Sequence, residues 1–196
     1  YNILDEQAIR RRKDEPVDDI PKGEFLMVSV GSLIPRKGFE RLIHVCGLLK
    51  SRGYHFHLLI LGKGELYEVL AEQVIDEHLQ DSVQLLGFRD NPYPYMAAAD
   101  LYVCPSYVEG FSTVVSEAVV LETPVVTTDC SGMREILGDS EYGLITQNTE
   151  ESLFEGLRTM LDKPEVYQYY QQRVRERAPF FYMEERLKAY EEILDQ

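Results

Sequence analysis

Glu109 and Glu117 stand eight positions apart in the run Glu109-Gly110-Phe111-Ser112-Thr113-Val114-Val115-Ser116-Glu117, which reads as a loop passing into a helix. A helix N-terminus gathers unpaired amide groups and a partial positive charge, so it accepts an anion such as phosphate. A carboxylate accepts hydrogen bonds from sugar hydroxyls. Ser112 reads as the N-cap. Glu117 then lies about a turn and a half into the helix, on the order of 7 Å along its axis from a phosphate at its start. That distance suits a ribose attached to the phosphate, and Glu109 reaches the other side, where a sugar would lie. One junction could thus serve a sugar nucleotide. Each glutamate also has a plainer reading, Glu109 as a loop acid and Glu117 as an acid favouring the helix dipole.

Cations that complement this junction occur in Gly31-Ser32-Leu33-Ile34-Pro35-Arg36-Lys37-Gly38. Gly31 lets backbone approach a ligand closely, and an Arg fork beside a Lys point charge suits a diphosphate. Two further loops are open to either reading. The backbone of Leu86-Gly87-Phe88-Arg89 can meet a nucleobase edge with Phe88 shaping the slot, or it is a structural turn. Lys63, in Gly62-Lys63-Gly64, sits near an anion or in solvent. His44, His55, His57 and His78 fall on expected helices or strands, which makes them poor candidates for a catalytic base. No Asp-x-Asp occurs, so a metal–carboxylate clamp on a diphosphate is missing. No Gly-x-Gly-x-x-Gly follows the first strand, which argues against a dinucleotide oxidoreductase.

The elements that must position these groups alternate. Short apolar runs at 25–30, 55–61, 83–86, 101–104 and 125–128, with a weaker one at 143–145, read as strands. Amphipathic stretches at 39–51, 66–78, 93–99, 113–121 and 131–137 read as helices, and three more follow at 150–162, 165–177 and 183–194. Strand–helix alternation with near-continuous apolar strands predicts an α/β, Rossmann-like, doubly wound parallel sheet of about six strands with extra C-terminal helices. In the strand order 3-2-1-4-5-6 the first and fourth strands are neighbours, and ligands bind beyond their carboxyl ends. The loops holding Arg36-Lys37 and Glu109–Glu117 therefore face each other on topology alone.

The 196 residues, 44% hydrophobic, suffice for one packed domain. The chain does not begin with Met, and its polar start through Pro21 reads as the middle of a longer protein. No apolar run reaches 18 residues, so no membrane span is expected, and no signal peptide is visible. Cys46, Cys104 and Cys130 sit among apolar neighbours and read as buried reduced thiols of a cytosolic protein. The net charge of −14 argues against nucleic acid as a partner. It is uneven, because residues 31–64 carry +5 and the remainder −19. A basic region in an acidic protein focuses a field on a small anion. Lys50 and Arg52 in that region read as a solvated helix face.

Taken in order, Gly31…Arg36-Lys37-Gly38, Leu61-Gly62-Lys63-Gly64, Leu86-Gly87-Phe88, Ala99-Asp100-Leu101…Pro105-Ser106…Glu109-Gly110-Phe111…Glu117-Ala118, Pro124-Val125-Val126 and Gly143-Leu144 resemble the C-terminal half of family 4 retaining glycosyltransferases. The resemblance covers essentially the whole chain and implies one half of a GT-B fold. Residues 1–22 are then an interdomain segment and 23–178 the nucleotide-sugar-binding domain. Residues 179–196 form a helix that crosses to an N-terminal acceptor domain. It implies that Arg36 and Lys37 neutralise the leaving diphosphate, Glu109 contacts the donor sugar and Glu117 binds the ribose. Phe111, Ser112 and Thr113 offer amides at the helix start, Gly31 lines the donor site, and Phe88 flanks the base. No cofactor or metal is implied. The donor is expected to be a UDP-sugar, with GDP next, and the acceptor a saccharide or lipid-linked sugar of cell-surface polysaccharide synthesis. The location implied is cytoplasmic, with any peripheral contact to the inner membrane face made through the other domain. Such a fragment is expected to hold most of the donor site and little activity.

Ser32 stands where many members carry Arg, which shifts phosphate neutralisation onto Arg36 and Lys37. Ser112-Thr113-Val114 replaces the more usual small or Pro-containing run. Two other readings fit the resemblance: a UDP-sugar epimerase of the same fold, and a non-catalytic partner of an active subunit. The aromatic break Pro179-Phe180-Phe181-Tyr182 has two readings as well, facing a partner surface or packing on the chain's own core.

Overall fold

A computed structural model describes residues 4–182. Six parallel strands form one sheet: β1 (Phe25–Val30), β2 (Phe56–Leu61), β3 (Val83–Gly87), β4 (Leu101–Cys104), β5 (Val125–Thr128) and β6 (Leu144–Thr146). Their order is β3-β2-β1-β4-β5-β6, as the alternation predicts. β1 pairs with β4 through Met27↔Leu101 and Val28↔Tyr102, so the chain reverses its winding between these two strands. That reversal is the switch point.

Alternate residues of each strand feed opposite faces, which is why the strands read as continuous apolar runs. Val28, Leu59, Leu61, Tyr102 and Cys104 belong to one core layer. Met27, Leu58, Ile60, Leu101 and Val103 belong to the other. On the second face α2 (Phe39–Ser51) packs against α3 (Tyr67–Asp76) and α7 (Glu150–Asp162). The first face is covered by α1 (Glu6–Arg12), α4 (Tyr93–Ala98), α5 (Thr113–Val120) and α6 (Met133–Leu137). α8 (Pro164–Arg177) wraps an edge, giving Tyr170 to one layer and Val174 to the other.

Most expected boundaries agree within one or two residues, and three differences have local causes. Residues 5–12 read as polar, yet α1 forms there. Asp5 caps it by accepting from the Ala8 amide at 2.9 Å, Arg10 to Arg12 lie in its negative last turn, and Ile9 is buried. α3 stops at Asp76 rather than 78, because His78 turns left-handed at φ 55° and ends the helix. α6 starts at Met133, after Gly132 at φ 79°.

The aromatic break forms a 3-10 turn, Ala178–Phe181. Phe181 is buried in the first core layer with Val174 and Ala178, whereas Phe180 is exposed. Phe181 therefore packs on the chain's own core. The helix expected at 183–194 lies outside the described residues. All three cysteines are buried and unbridged. No helix among the described residues is long and apolar enough to cross a membrane.

Candidate functional site at the β1/β4 switch point

The loop after β1 and the loop after β4 are joined main chain to main chain. The Arg36 carbonyl accepts from the Tyr107 amide at 2.9 Å and from the Val108 amide at 3.4 Å. A 3-10 turn, Pro35–Lys37, lifts Arg36 and Lys37 beyond the strand end, and Gly38 then turns left-handed at φ 67° into α2. A Cβ at Gly38 would collide with the Pro105 carbonyl, so this close approach requires glycine.

Across this seam lie the charged groups. The Lys37 ammonium reaches the Glu109 carboxylate at 2.5 Å, and the Ser106 hydroxyl donates to the same oxygen at 2.7 Å. Arg36 lies 3.9 Å from the other oxygen. Glu109 is 7% exposed and Lys37 16%, whereas Arg36 at 55% faces solvent. The cluster of two cations and one carboxylate keeps a net positive charge. Lys37, Glu109 and Ser112 also line a small hollow of about 10 Å³, the space of about one water molecule.

Ser112 caps α5 by accepting from the Val115 amide at 3.3 Å. Phe111 packs at the margin of the first core layer and Thr113 opens the helix. Glu117 lies on the fifth position of α5 and accepts from the Tyr93 hydroxyl at 3.2 Å. Burial raises the Glu117 pKa, and the bond from Tyr93 partly offsets this. Tyr93 is itself pushed up to about 12 by burial and by the neighbouring carboxylate.

Glu117 closes one wall of a second pocket of about 310 Å³. Gly31, Lys63, Phe88, Arg89 and Asp90 line it too. The Phe88 ring is exposed, and Lys63 sits over it at 4.7 Å. This volume falls at the lower end of small-molecule sites. Val30 lines both hollows, so they adjoin at the end of β1. The residues singled out from sequence therefore fall into two adjoining groups. Gly31, Phe88 and Glu117 share the larger pocket, while Arg36, Lys37, Glu109 and Ser112 surround the charged seam.

Within the chain itself, close backbone approach is required at Gly62. A Cβ at Gly31 would meet only ordinary contacts, whereas one at Gly62 would run into the Gly31 carbonyl. The histidines lie away from the strand-end site, with His55 and His57 near Glu24 and His44 near Glu77. Lys50 donates to the Ser82 hydroxyl at 2.8 Å and Arg52 lies over Phe154, so both are used by the helix surface. Among the described residues no group of three or more His, Cys, Asp or Glu is placed to hold a metal ion.

Sequence reasoning missed four residues. Arg41 reads as one more cation of the basic region 31–64, but it is buried and donates to two carbonyls of the β4 loop. Its signal was helical spacing, since Arg41, Val45 and Leu49 lie in line on the buried side of α2. Ser106 and Tyr93 hold the two glutamates, and the residue types gave no sign of it. Gly132 leaves room for the Gly110 carbonyl, which a Cβ there would strike.

A doubly wound parallel sheet with helices on both faces and a charged seam at its switch point defines a Rossmann-like α/β domain. The model of the family described as "Glycosyl transferases group 1" matches residues 10–177, and the chain belongs to that family. It is 36% identical over 183 residues to the N-acetylgalactosamine-N,N'-diacetylbacillosaminyl-diphospho-undecaprenol 4-alpha-N-acetylgalactosaminyltransferase of Campylobacter jejuni, covering 92% of this chain and 48% of that protein. The fold is similar to WaaG, a glycosyltransferase involved in lipopolysaccharide biosynthesis, with a TM-score of 0.73, 26% identity and coverage of 91% and 48%. It is also similar to S. aureus TarM, solved with fondaparinux, alpha-GlcNAc-glycerol and UDP, with a TM-score of 0.76, 21% identity and coverage of 92% and 38%. These are GT-B glycosyltransferases. The chain spans about half the length of the Campylobacter relative.

Proposed function

We propose that this chain is the donor-binding domain of a retaining glycosyltransferase that transfers a sugar from a UDP-sugar to a saccharide or lipid-linked acceptor. One observation carries the reading: the pocket lined by Gly31, Phe88 and Glu117 adjoins the Lys37–Glu109 seam along β1. A nucleoside fits the first, with Phe88 against the base and Glu117 accepting from the ribose. The diphosphate then passes over the α5 N-terminus, toward Arg36 and Lys37. Glu109 lies where it can accept from hydroxyls of the transferred sugar.

Breaking the glycosidic bond builds negative charge on the departing diphosphate. Arg36, Lys37 and the start of α5 supply positive charge and amide donors on the side where that charge develops, once Lys37 is shared between Glu109 and the diphosphate. Removing one such preorganised group typically costs about 10²–10³ in rate. The residues supply this stabilisation without a metal. UDP is favoured because TarM, a fold relative, was solved with it. A lipid-linked acceptor is favoured by the name of the Campylobacter relative. The acceptor site belongs to a further N-terminal domain, which leaves this chain little activity alone. Synthesis at the cytoplasmic face of a membrane, with peripheral contact through that other domain, fits such an acceptor.

Calorimetric titration of the chain with UDP, GDP and ADP tests the donor site, with UDP expected to bind tightest. Absence of heat with all three nucleotides, and no shift of resonances around Glu117 and Lys37, would overturn the reading. In the full-length protein Arg36→Ala and Lys37→Ala should each reduce turnover strongly while Lys50→Ala does not. Incubation with a UDP-sugar and no acceptor should leave the sugar unisomerised.

A further inference from the structure

We infer that Arg41 is a positioning residue for the transfer step, acting on Glu109 through the main chain of Ser106; the inference rests on the donor-site reading above. Arg41 is only 1% exposed, on the inward face of α2. Its Nε donates to the Pro105 carbonyl and one terminal nitrogen to the Ser106 carbonyl, both at 2.7 Å. The same nitrogen lies 3.4 Å from the Thr128 hydroxyl, and the guanidinium stacks under the Tyr107 ring at 3.9 Å. Thr128 donates in turn to the Ser106 carbonyl. Two adjacent carbonyls and a ring thus match the planar fork of one guanidinium.

Ser106 is the link to chemistry. Its carbonyl is held from behind by Arg41, Thr128 and Cys130, and its hydroxyl points forward to Glu109. Glu109 in turn carries Lys37. The Arg41 fork therefore fixes where the Glu109 carboxylate and the Lys37 ammonium stand relative to α5. A displacement of about 1 Å at such groups costs on the order of 10²-fold in rate.

Arg41 also brings charge. Among the described residues it makes no ion pair within 4.0 Å, so carbonyl dipoles and a hydroxyl hold it directly while Glu40 and Glu150 act on it from further away. Burying a charge without a directly paired counterion is costly, and an uncharged residue of similar volume would generally be better tolerated in a core. A guanidinium kept here places positive potential beneath the seam where the diphosphate leaves.

The test uses the full-length protein with Arg41→Lys, Ser106→Ala and the two combined. Lysine keeps the charge but cannot donate to both carbonyls in one plane. Each single change should lower kcat 10- to 100-fold while KM for the UDP-sugar moves less than about threefold. The combined variant should be no slower than Arg41→Lys alone, because both act through Glu109. Hydrogen exchange of the ligand-free protein gives a readout independent of donor chemistry. Arg41→Lys should speed exchange at the Tyr107 and Val108 amides and leave β1 and β2 protected. Wild-type kcat in Arg41→Lys, multiplicative losses in the combined variant, or unchanged exchange at Tyr107 would each overturn the inference. If Arg41→Lys does not fold, Ser106→Ala decides alone, and an unchanged kcat there reduces Arg41 to a core residue. Failure of the wild-type protein to bind any nucleotide, with faster Tyr107 exchange in Arg41→Lys, would instead fault the donor-site reading.

Discussion

The Lys37 ammonium and the Glu109 carboxylate meet at 2.5 Å across the β1/β4 switch point, each largely withdrawn from water. A cation and an acid read from sequence as separate donor contacts are thus bonded to each other. On the proposed donor-site reading, a diphosphate would compete with Glu109 for Lys37, and donor binding would rearrange or share this pair. Arg36 is exposed and lies 3.9 Å from the other Glu109 oxygen, so on that reading it is the cation an arriving donor would meet first.

The pair has a consequence for stability. Removing one member leaves the other buried with less compensation, and breaking a buried pair costs about 3–5 kcal/mol. Lys37→Met should cost somewhat less, about 2–4 kcal/mol, because Ser106 and Arg36 still face Glu109. Lys37→Met with Glu109→Gln should recover part of that loss. Urea unfolding of the four proteins gives the coupling, expected at about 1–3 kcal/mol. Coupling near zero would mean that the contact contributes nothing in solution.

Glu117 contributes a pH dependence of its own. Its folded pKa is raised above the ordinary 4.5, mainly by burial, so the folded chain holds the proton more tightly than the unfolded one. The resulting stability is fully present below 4.5 and is lost as pH rises through the raised folded value. Glu117→Gln should remove this loss and leave the protein no less stable at neutral pH. It should also weaken UDP binding, because the ribose loses its ionised acceptor. Tyr93→Phe removes the bond that holds the Glu117 pKa down, so the window should move to higher pH. Carboxyl carbon shifts of Glu117 followed against pH, with UDP affinity at each pH, check both statements.

Much of this arrangement was legible because parallel strands buried on both faces leave short apolar runs that little else explains. Strand order then placed Arg36-Lys37 opposite Glu109 without any contact being known. The unread parts share a cause, since each depends on where a polar side chain finds its partner. Arg41 is chemically indistinguishable from a surface arginine until the carbonyls of Pro105 and Ser106 are in place. Helix α1 is hard to read because Ile9 is its one buried apolar side chain, just ahead of consecutive arginines. Asp5 ahead of it, and arginines in its last turn, were the available signals.

Two glycines of the paired loops should behave oppositely. Gly38 combines a left-handed backbone with contact against the Pro105 carbonyl and the Arg41 guanidinium, whereas a methyl group added at Gly110 would meet nothing within 4 Å. Gly38→Ala should therefore destabilise by well over about 1 kcal/mol and loosen the β4 loop. Gly110→Ala should unfold near the wild-type urea midpoint. Equal midpoints for the two variants would contradict the loop geometry.

Phe181 and Phe180 separate the two readings of the aromatic break. Phe181 is 3% exposed in the core layer shared with Val174 and Ala178, and Phe180 is 50% exposed beneath Arg177. Replacing a buried phenylalanine by a small residue costs about 3–5 kcal/mol, and a serine adds an unsatisfied hydroxyl to the cavity. Phe181→Ser should therefore lower the urea midpoint markedly or abolish soluble folding of this chain. Phe180→Ser should keep stability within about 0.5 kcal/mol, as exposed sites do. If Phe181→Ser left the chain stable and reduced only its self-association, the residue would serve a partner surface rather than the core.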